Sequence, residues 1–163
     1  MFFQRKGEEI LSPLSGQIVS VTEVESPIFS GKVVGDGVAV DPYFQNDDLV
    51  LSPVSGMISM VAVQKHAYGI TTFDGIEILI HIGLGTVSLD GNGFTPLVKE
   101  GDKVEQGMPL CRVNWSTLTE NGCKTTTPVL ITSVSIDKVK RLTLNLGPAR
   151  AGETTCMFYL KNK

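Results

Sequence analysis

Short apolar runs alternate with glycine- and proline-bearing breaks along most of this chain: GQIVSV (16–21), DGVAV (36–40), MISMVAV (57–63), GITTF (69–73) and IEILIHI (76–82). The runs are rich in β-branched residues, and the breaks recur every 8 to 12 residues. That rhythm predicts an all-β antiparallel sandwich or barrel-like fold. No window sustains the 3.6-residue stripe of an amphipathic helix. TPLVKE (95–100) and SIDKVKRL (135–142) are each expected to form at most a turn or two of helix.

One element repeats. LSPLSGQI at 11–18 returns as LSPVSGMI at 51–58, each copy with Pro and Gly bracketing a turn that feeds a strand. EGDKVEQGMPL (100–110) is a third turn-rich unit, with glycines on either side of a short strand. All three read as scaffolding, because none places a nucleophile beside a base. At 163 residues the chain is long enough for one core, which buries about 68 to 70% of the unfolded surface. Residues 1–9 are expected to be an N-terminal extension and 10–163 a single domain.

Asp74-Gly75 lies between two strand-like runs, a strong signal for a two-residue type I′ hairpin. Such a turn faces Phe73 with Ile76, Ile70 with Leu79, Tyr68 with His81, and His66 with Gly83. Side chains alternate along a strand, so Ile76, Ile78, Ile80 and Ile82 form the core face. His66 and His81, the only two histidines of the chain, then share the other face as diagonal neighbours. Gly83 and Gly85 leave the rings uncovered in a shallow depression rimmed by Tyr68 and Leu79. The inference rests on parity: a loop one residue longer throws His66 to the opposite face.

Charge narrows the chemistry. With 14 basic and 17 acidic residues and no basic block, the phosphate-tracking footprint of a nucleic-acid binder is missing. The start, MFFQRKGEE, has no apolar h-region, and no stretch approaches the roughly 18 apolar residues of a membrane span. A soluble, cytoplasmic protein is expected. Cys111, Cys123 and Cys156 lack metal-ligand spacing and read as free thiols in a reducing compartment. A hydrolase lacks its GxSxG elbow and a cysteine near either histidine. Zinc finds only two ligands in His66 and His81, with Glu77 on the same strand face, so no resident metal is expected; a third ligand from another protein would complete a shared zinc site. No GxxxxGK[ST] loop is present, which disfavours ATP use. Phosphoryl transfer through histidine remains: a neutral imidazole whose one N–H donates a hydrogen bond to a carbonyl keeps a lone pair for attack on the other nitrogen. A neighbouring imidazole can donate a hydrogen bond to the developing charge.

The order SPLSG, VGDGVAV, SPVSG, KHAYGI, EILIHIGLGTVSLDGNGF and EGDKVEQG resembles the glucose-type enzyme IIA family of the bacterial phosphoenolpyruvate:sugar phosphotransferase system, from about Ile10 to the last strand. HxGxxTVxLxGxGF with a second histidine 15 residues upstream is a specific signature. The resemblance implies an antiparallel β-sandwich that takes a phosphoryl group from HPr and passes it to a cysteine of a IIB domain, meeting the membrane only through the permease and needing no cofactor. It places the phosphorylated nucleophile at His81 and its phosphate-contacting partner at His66. It further implies a supporting carboxylate at Asp36, support from Gln64 and Gly83, and a partner surface that includes Val38, Tyr68, Leu79, Gly85 and Val87.

Two positions depart from the family pattern. Gln64 stands where members usually carry threonine, and its amide is expected to substitute in the histidine network; Gly85 stands where many carry aspartate. Losing that carboxylate is expected to weaken attraction to a basic donor more than it alters phosphoryl chemistry. The duplicated turns also look like those of lipoyl- and biotinyl-type carriers, whose modified lysine is missing from the Asp74-Gly75 tip. A non-catalytic regulator that docks through the histidine depression is the other alternative. The transported sugar is not legible, and the N-terminal Met with the charged tail leads us to expect a free-standing subunit.

Overall fold

A computed structural model describes residues 7–43 and 48–162. Among them the chain forms β1 (Glu8–Leu11), β2 (Gly16–Ser20), α1 (Pro27–Ser30), β3 (Gly35–Pro42), β4 (Asp48–Leu51), β5 (Gly56–Val61), β6 (Ala67–Thr72) and β7 (Glu77–His81). There follow β8 (Phe94–Pro96), β9 (Lys103–Val104), β10 (Pro109–Val113), α2 (Trp115–Glu120), β11 (Thr127–Thr132), β12 (Val139–Leu144), β13 (Gly147–Ala149) and β14 (Thr155–Lys161). Every strand pair is antiparallel. An eight-stranded sheet runs β13-β2-β3-β11-β7-β6-β5-β9, and two three-stranded sheets run β1-β14-β12 and β4-β10-β8. The all-β antiparallel sandwich expected from the sequence is the observed fold. Among the described residues no helix is long and apolar enough to cross a membrane.

The duplicated turns explain this arrangement. Ser12 Oγ donates to the Leu14 carbonyl at 2.6 Å, and Ser52 Oγ donates to the Val54 carbonyl at 2.7 Å, so both copies close the same local loop. The copies also bond each other reciprocally: Leu11 N–H donates to Pro53 O, and Leu51 N–H to Pro13 O, both at 3.0 Å. From either edge the large sheet then reads alike, β13-β2-β3-β11 meeting β9-β5-β6-β7 at the β11–β7 pair. The small sheets match as β1-β14-β12 and β4-β10-β8. One seven-stranded unit, β4 to β10, is therefore inserted between β3 and β11 of the other.

Alternation on β7 sends Ile78 and Ile80, with flanking Ile76 and Ile82, into the principal core, which runs from Ile10 to Tyr159. The opposite face of β3 and β11 carries a second, smaller cluster of Val21, Val24, Phe29, Ala39, Leu84 and Leu130. β11 is consequently buried on both faces, which is why TPVLIT reads as an unbroken apolar strand.

The structure corrects several details. TPLVKE is not helical: Phe94–Pro96 is β8, in keeping with the extended backbone that proline imposes on its predecessor. SIDKVKRL makes a single 3₁₀ turn over Ile136–Lys138 before β12 begins. The six-residue α2, capped by Asn114 Oδ1 accepting from Thr117 N–H at 3.2 Å, is too short to show a stripe in sequence. Residues 1–6 of the expected extension lie outside the described residues, whereas Glu8 and Glu9 already pair with β14, so the ordered strand starts ahead of the expected boundary at 10.

The central hairpin is the most consequential correction. Its loop has three residues, not two: Thr72 N–H donates to Ile76 O and Gly75 N–H to Thr72 O, both at 2.9 Å. Only Gly75 (φ 88°) adopts the left-handed conformation here, whereas a type I′ turn needs it at two consecutive positions. Phe73 and Asp74 form the turn and Gly75 the bulge. Thr72 Oγ1 and Tyr159 Oη both donate to the Asp74 carboxylate, the latter at 2.9 Å, which ties the tip to β14. The register moves by one, pairing Tyr68 with Ile80 and Ala67 with His81.

Candidate functional site

His81 ends β7 on the face opposite the isoleucines, where it shares a side of the strand with the half-buried Leu79. Its Nδ1 lies 2.7 Å from the carbonyl oxygen of Gly83. A carbonyl only accepts, so Nδ1 carries the proton and Nε2 keeps its lone pair. Gly83 (φ 72°) bends the chain back to present that carbonyl, and a Cβ there would meet the Lys124 carbonyl at 2.7 Å. Its own N–H receives support from Thr127 Oγ1 at 3.3 Å.

With the shifted register, strict alternation would turn His66 inward beside Tyr68. It escapes because it precedes β6 in a tight turn. Lys65 N–H donates to Ala62 O at 2.8 Å, and Lys65 adopts φ 67°. The bend takes His66 out of the strand's alternation, while its carbonyl still accepts from Ile82 N–H at 2.7 Å. The two imidazoles meet edge to face, centroids 4.9 Å apart and planes at 81°. Convergence of the histidines thus holds, through a backbone bend rather than through the diagonal pairing.

Both rings are held neutral. Burial, and secondarily the neighbouring His81, depress the pKa of His66 to about 4, against a small opposing pull from the Gln64 backbone carbonyl. Burial likewise lowers that of His81, with the Gly83 carbonyl acting in the other direction. His66 Nδ1 is buried and makes no hydrogen bond among the described residues. A neutral, desolvated imidazole with a fixed tautomer is a competent nitrogen nucleophile near neutral pH. Among the described residues, no third His, Cys, Asp or Glu joins the pair in a cluster able to hold a metal ion.

Phe29 of α1 completes the site and carries no local signal in the sequence. It packs its ring on His81, centroids 5.0 Å apart at 64°, so the imidazole stands between two rings. The second cluster positions it, with Val21 and Val24 buried beneath the same segment.

The other anticipated residues divide. Gln64 is half-buried in the turn before His66. Gly85 (φ 76°) starts the 3₁₀ turn Thr86–Leu89, on which Val87 is 53% exposed. Asp36, at the start of β3, pairs with Ile131 and holds Lys32 Nζ at 3.5 Å. Two residues do not belong to any surface. Tyr68 and Val38 are both 0% exposed. Tyr68 faces the principal core because the longer hairpin loop shifts its parity, and Val38 stands opposite Val129, which in turn faces Ile80. Cys111 and Cys156 are buried free thiols, and Cys123 is a partly exposed one beside Gly85.

A carbonyl-locked histidine beside a second histidine, on a duplicated antiparallel sandwich, is the candidate site of this chain. Residues 8–136 match the sequence profile of the phosphoenolpyruvate-dependent sugar phosphotransferase system EIIA 1 family, and the chain belongs to that family. It is 46% identical over 127 residues to a PTS system glucose-specific EIIA component of Halalkalibacterium halodurans, covering 78% of this chain and 72% of that protein. It is 40% identical over 147 residues, 90% of its length, to a PTS system glucoside-specific EIICBA component of Staphylococcus carnosus. The chain spans only 20% of that longer relative, and 19% of a glucose-specific EIICBA component of the same organism. Among solved structures, glucose permease IIA from Mycoplasma capricolum superposes with a TM-score of 0.83 at 34% identity, covering 96% of this chain and 99% of that one.

Proposed function

We propose that the chain is a phosphocarrier of the sugar phosphotransferase system, with His81 Nε2 as the acceptor atom. The observation that carries this reading is the 2.7 Å contact between His81 Nδ1 and the Gly83 carbonyl, which leaves Nε2 its lone pair beside His66. The donor is the phosphohistidine of HPr. His81 Nε2 gives its pair to phosphorus while the donor's P–N bond breaks and returns its pair to the donor ring. In the onward step a cysteine thiolate of a IIB domain forms a P–S bond, and Nε2 recovers its pair. His66 donates a hydrogen bond to the phosphoryl oxygens, where a preorganised donor has its largest effect.

Leu79, Gly85 and Val87 supply the docking surface near His81, Asp36 contributes a carboxylate toward a basic donor, and the Gln64 amide partners His66. The expected single domain of residues 10–163, extended at its start by Glu8 and Glu9 of β1, is in keeping with a principal core cluster that runs from Ile10 to Tyr159. The protein acts in the cytoplasm and reaches the membrane through its permease partner, and EIICBA relatives, in which such segments share one chain, support the IIB link.

Incubation with phosphoenolpyruvate, enzyme I and HPr, followed by intact mass measurement, tests this. One acid-labile phosphate is expected, and His81→Ala abolishes it. A phosphate that persists in His81→Ala, or no gain at all under conditions that load a known IIA component, rejects the proposal.

A further inference from the structure

Phe29 is 3% exposed, so it does not serve as docking surface; its ring is spent on His81. The imidazole has two planar orientations related by a half-turn about Cβ–Cγ. One directs Nδ1 at the Gly83 carbonyl; the other directs a C–H there and leaves Nδ1 without that partner. In water, a free neutral imidazole of histidine favours the proton on Nε2, the tautomer that cannot attack through Nε2. The Gly83 hydrogen bond opposes that preference, but a ring that is only partly buried can turn unless it is sterically held.

Two rings hold it. His66 and Phe29 meet His81 at centroid distances of 4.9 and 5.0 Å, within the range for edge-to-face packing. Phe29 is braced on both sides. Glu25, four residues before it, is ion-paired to Lys124, and Lys124 exchanges backbone hydrogen bonds with Leu84, next to Gly83, at 3.0 and 3.2 Å. Lys32, three residues after it, pairs with Asp36 of β3 at 3.5 Å. The segment that carries Phe29 and the turn that carries the Gly83 carbonyl are therefore both tied to Lys124, the first through its exposed side chain and the second through its backbone. We infer that Phe29 is a positioning residue: its ring locks the His81 imidazole in the orientation in which Nδ1–H meets Gly83 and Nε2 keeps the attacking pair.

The consequence for transfer rests on the phosphocarrier reading, whereas the consequence for the tautomer does not. Phosphoramidate separates the two, since a small donor needs no docking surface. In that reaction His81 Nε2 donates its pair to phosphorus, the P–N bond of phosphoramidate breaks, ammonia leaves with that pair, and the Nδ1 proton is released from the product ring to water.

Long-range ¹H–¹⁵N spectra of the imidazoles report which nitrogen bears the proton. In wild type a single Nδ1–H form of His81 is expected. Phe29→Leu and Phe29→Met keep an apolar side chain without a ring edge; each is expected to give a mixture of tautomers and to slow phosphorylation by phosphoramidate at least about tenfold, as misorientation of a reacting group does. Leu142→Ala, on β12 and packed against the principal core rather than the cluster of Phe29, is the control for lost packing: it lowers the melting temperature while leaving tautomer and rate as in wild type. Whichever Phe29 variant folds decides the matter; a pure Nδ1–H form with an unchanged rate overturns the inference. If wild type takes no phosphate, the carrier reading fails, and the spectra still decide the role of Phe29.

Discussion

His66 and His81 stand 4.9 Å apart with their rings at 81°, although strand alternation alone would place them on opposite faces of the sheet. The burial of His66, and secondarily its proximity to His81, has a measurable cost at low pH. The pKa of His66 is lowered to about 4 in the folded protein from an ordinary value of 6.5, so the unfolded chain binds a proton that the folded one refuses. Stability therefore rises with pH through this window: it is complete above about 6.5 and is lost progressively as pH falls toward 4. Urea unfolding at pH 7.5 and 4.5 is expected to differ by on the order of 2 kcal/mol more in wild type than in His66→Gln, which removes the titrating group. Equal pH slopes in the two proteins contradict a buried neutral His66.

The same substitution tests what His66 does in transfer. In acceptance, a neutral imidazole attacks phosphorus. In onward transfer an anionic thiolate must approach an anionic phosphoryl group, and a hydrogen-bond donor there offsets more charge. Because glutamine keeps a planar side chain against the His81 ring, His66→Gln is expected to load phosphate at a rate close to wild type but to lose at least about tenfold in transfer to a IIB domain, the lower end of what removal of one oxyanion donor costs. Rapid-quench measurement of each half-reaction separates them, and normal onward transfer removes His66 from the mechanism.

What the sequence made legible followed from periodicity and repetition. The isoleucines at 76, 78, 80 and 82 mark the core face of β7 unambiguously, and the LSPLSG/LSPVSG echo marks two elements that bond each other across the molecule. Loop length was not legible, because Asp-Gly suits both a two-residue turn and the last two places of a three-residue one. The choice fell to tertiary contacts of Asp74 with Tyr159. That one residue of register moved Tyr68 into the core, while the Lys65 bend independently restored the histidine pair. Phe29 was hidden because nothing local marks a phenylalanine whose partner lies on a strand far along the chain.

The two glycines after His81 are expected to respond differently to alanine. Both adopt left-handed backbone, φ 72° at Gly83 and 76° at Gly85. A Cβ on Gly85 meets nothing within 4 Å, so Gly85→Ala carries only the conformational cost, about 1 to 2 kcal/mol. A Cβ on Gly83 meets the Lys124 carbonyl and Thr86 Cγ2, each at 2.7 Å, and backbone must move. Gly83→Ala is expected to cost about 2 to 4 kcal/mol and to reduce phosphate uptake even at temperatures where it is fully folded, because the carbonyl that holds Nδ1 shifts with it. Equal losses in the two variants, by chemical denaturation and by rate of loading, would show that the Gly83 carbonyl is not fixed by packing.

Tyr68 gives the converse test. Its ring fills the principal core, but its hydroxyl is buried with only the Cys111 thiol, a weak hydrogen-bonding group, beside it; burial, and secondarily that thiol, raises its pKa. A buried hydroxyl without a good partner carries a desolvation penalty of about 1 to 3 kcal/mol, and a thiol offsets little of it, so removing the hydroxyl relieves that penalty while leaving the ring's packing intact. Tyr68→Phe is therefore expected to be neutral or stabilising by up to about 1 kcal/mol, against the usual direction for a core substitution. Because the side chain is 0% exposed, loading by HPr and onward transfer are expected to match wild type. A loss of more than about 1 kcal/mol in urea unfolding would show that the hydroxyl has a working partner in solution. A selective defect in HPr-dependent loading, with stability unchanged, would instead return Tyr68 to the docking surface and require the hairpin register to be one residue shorter than it is here.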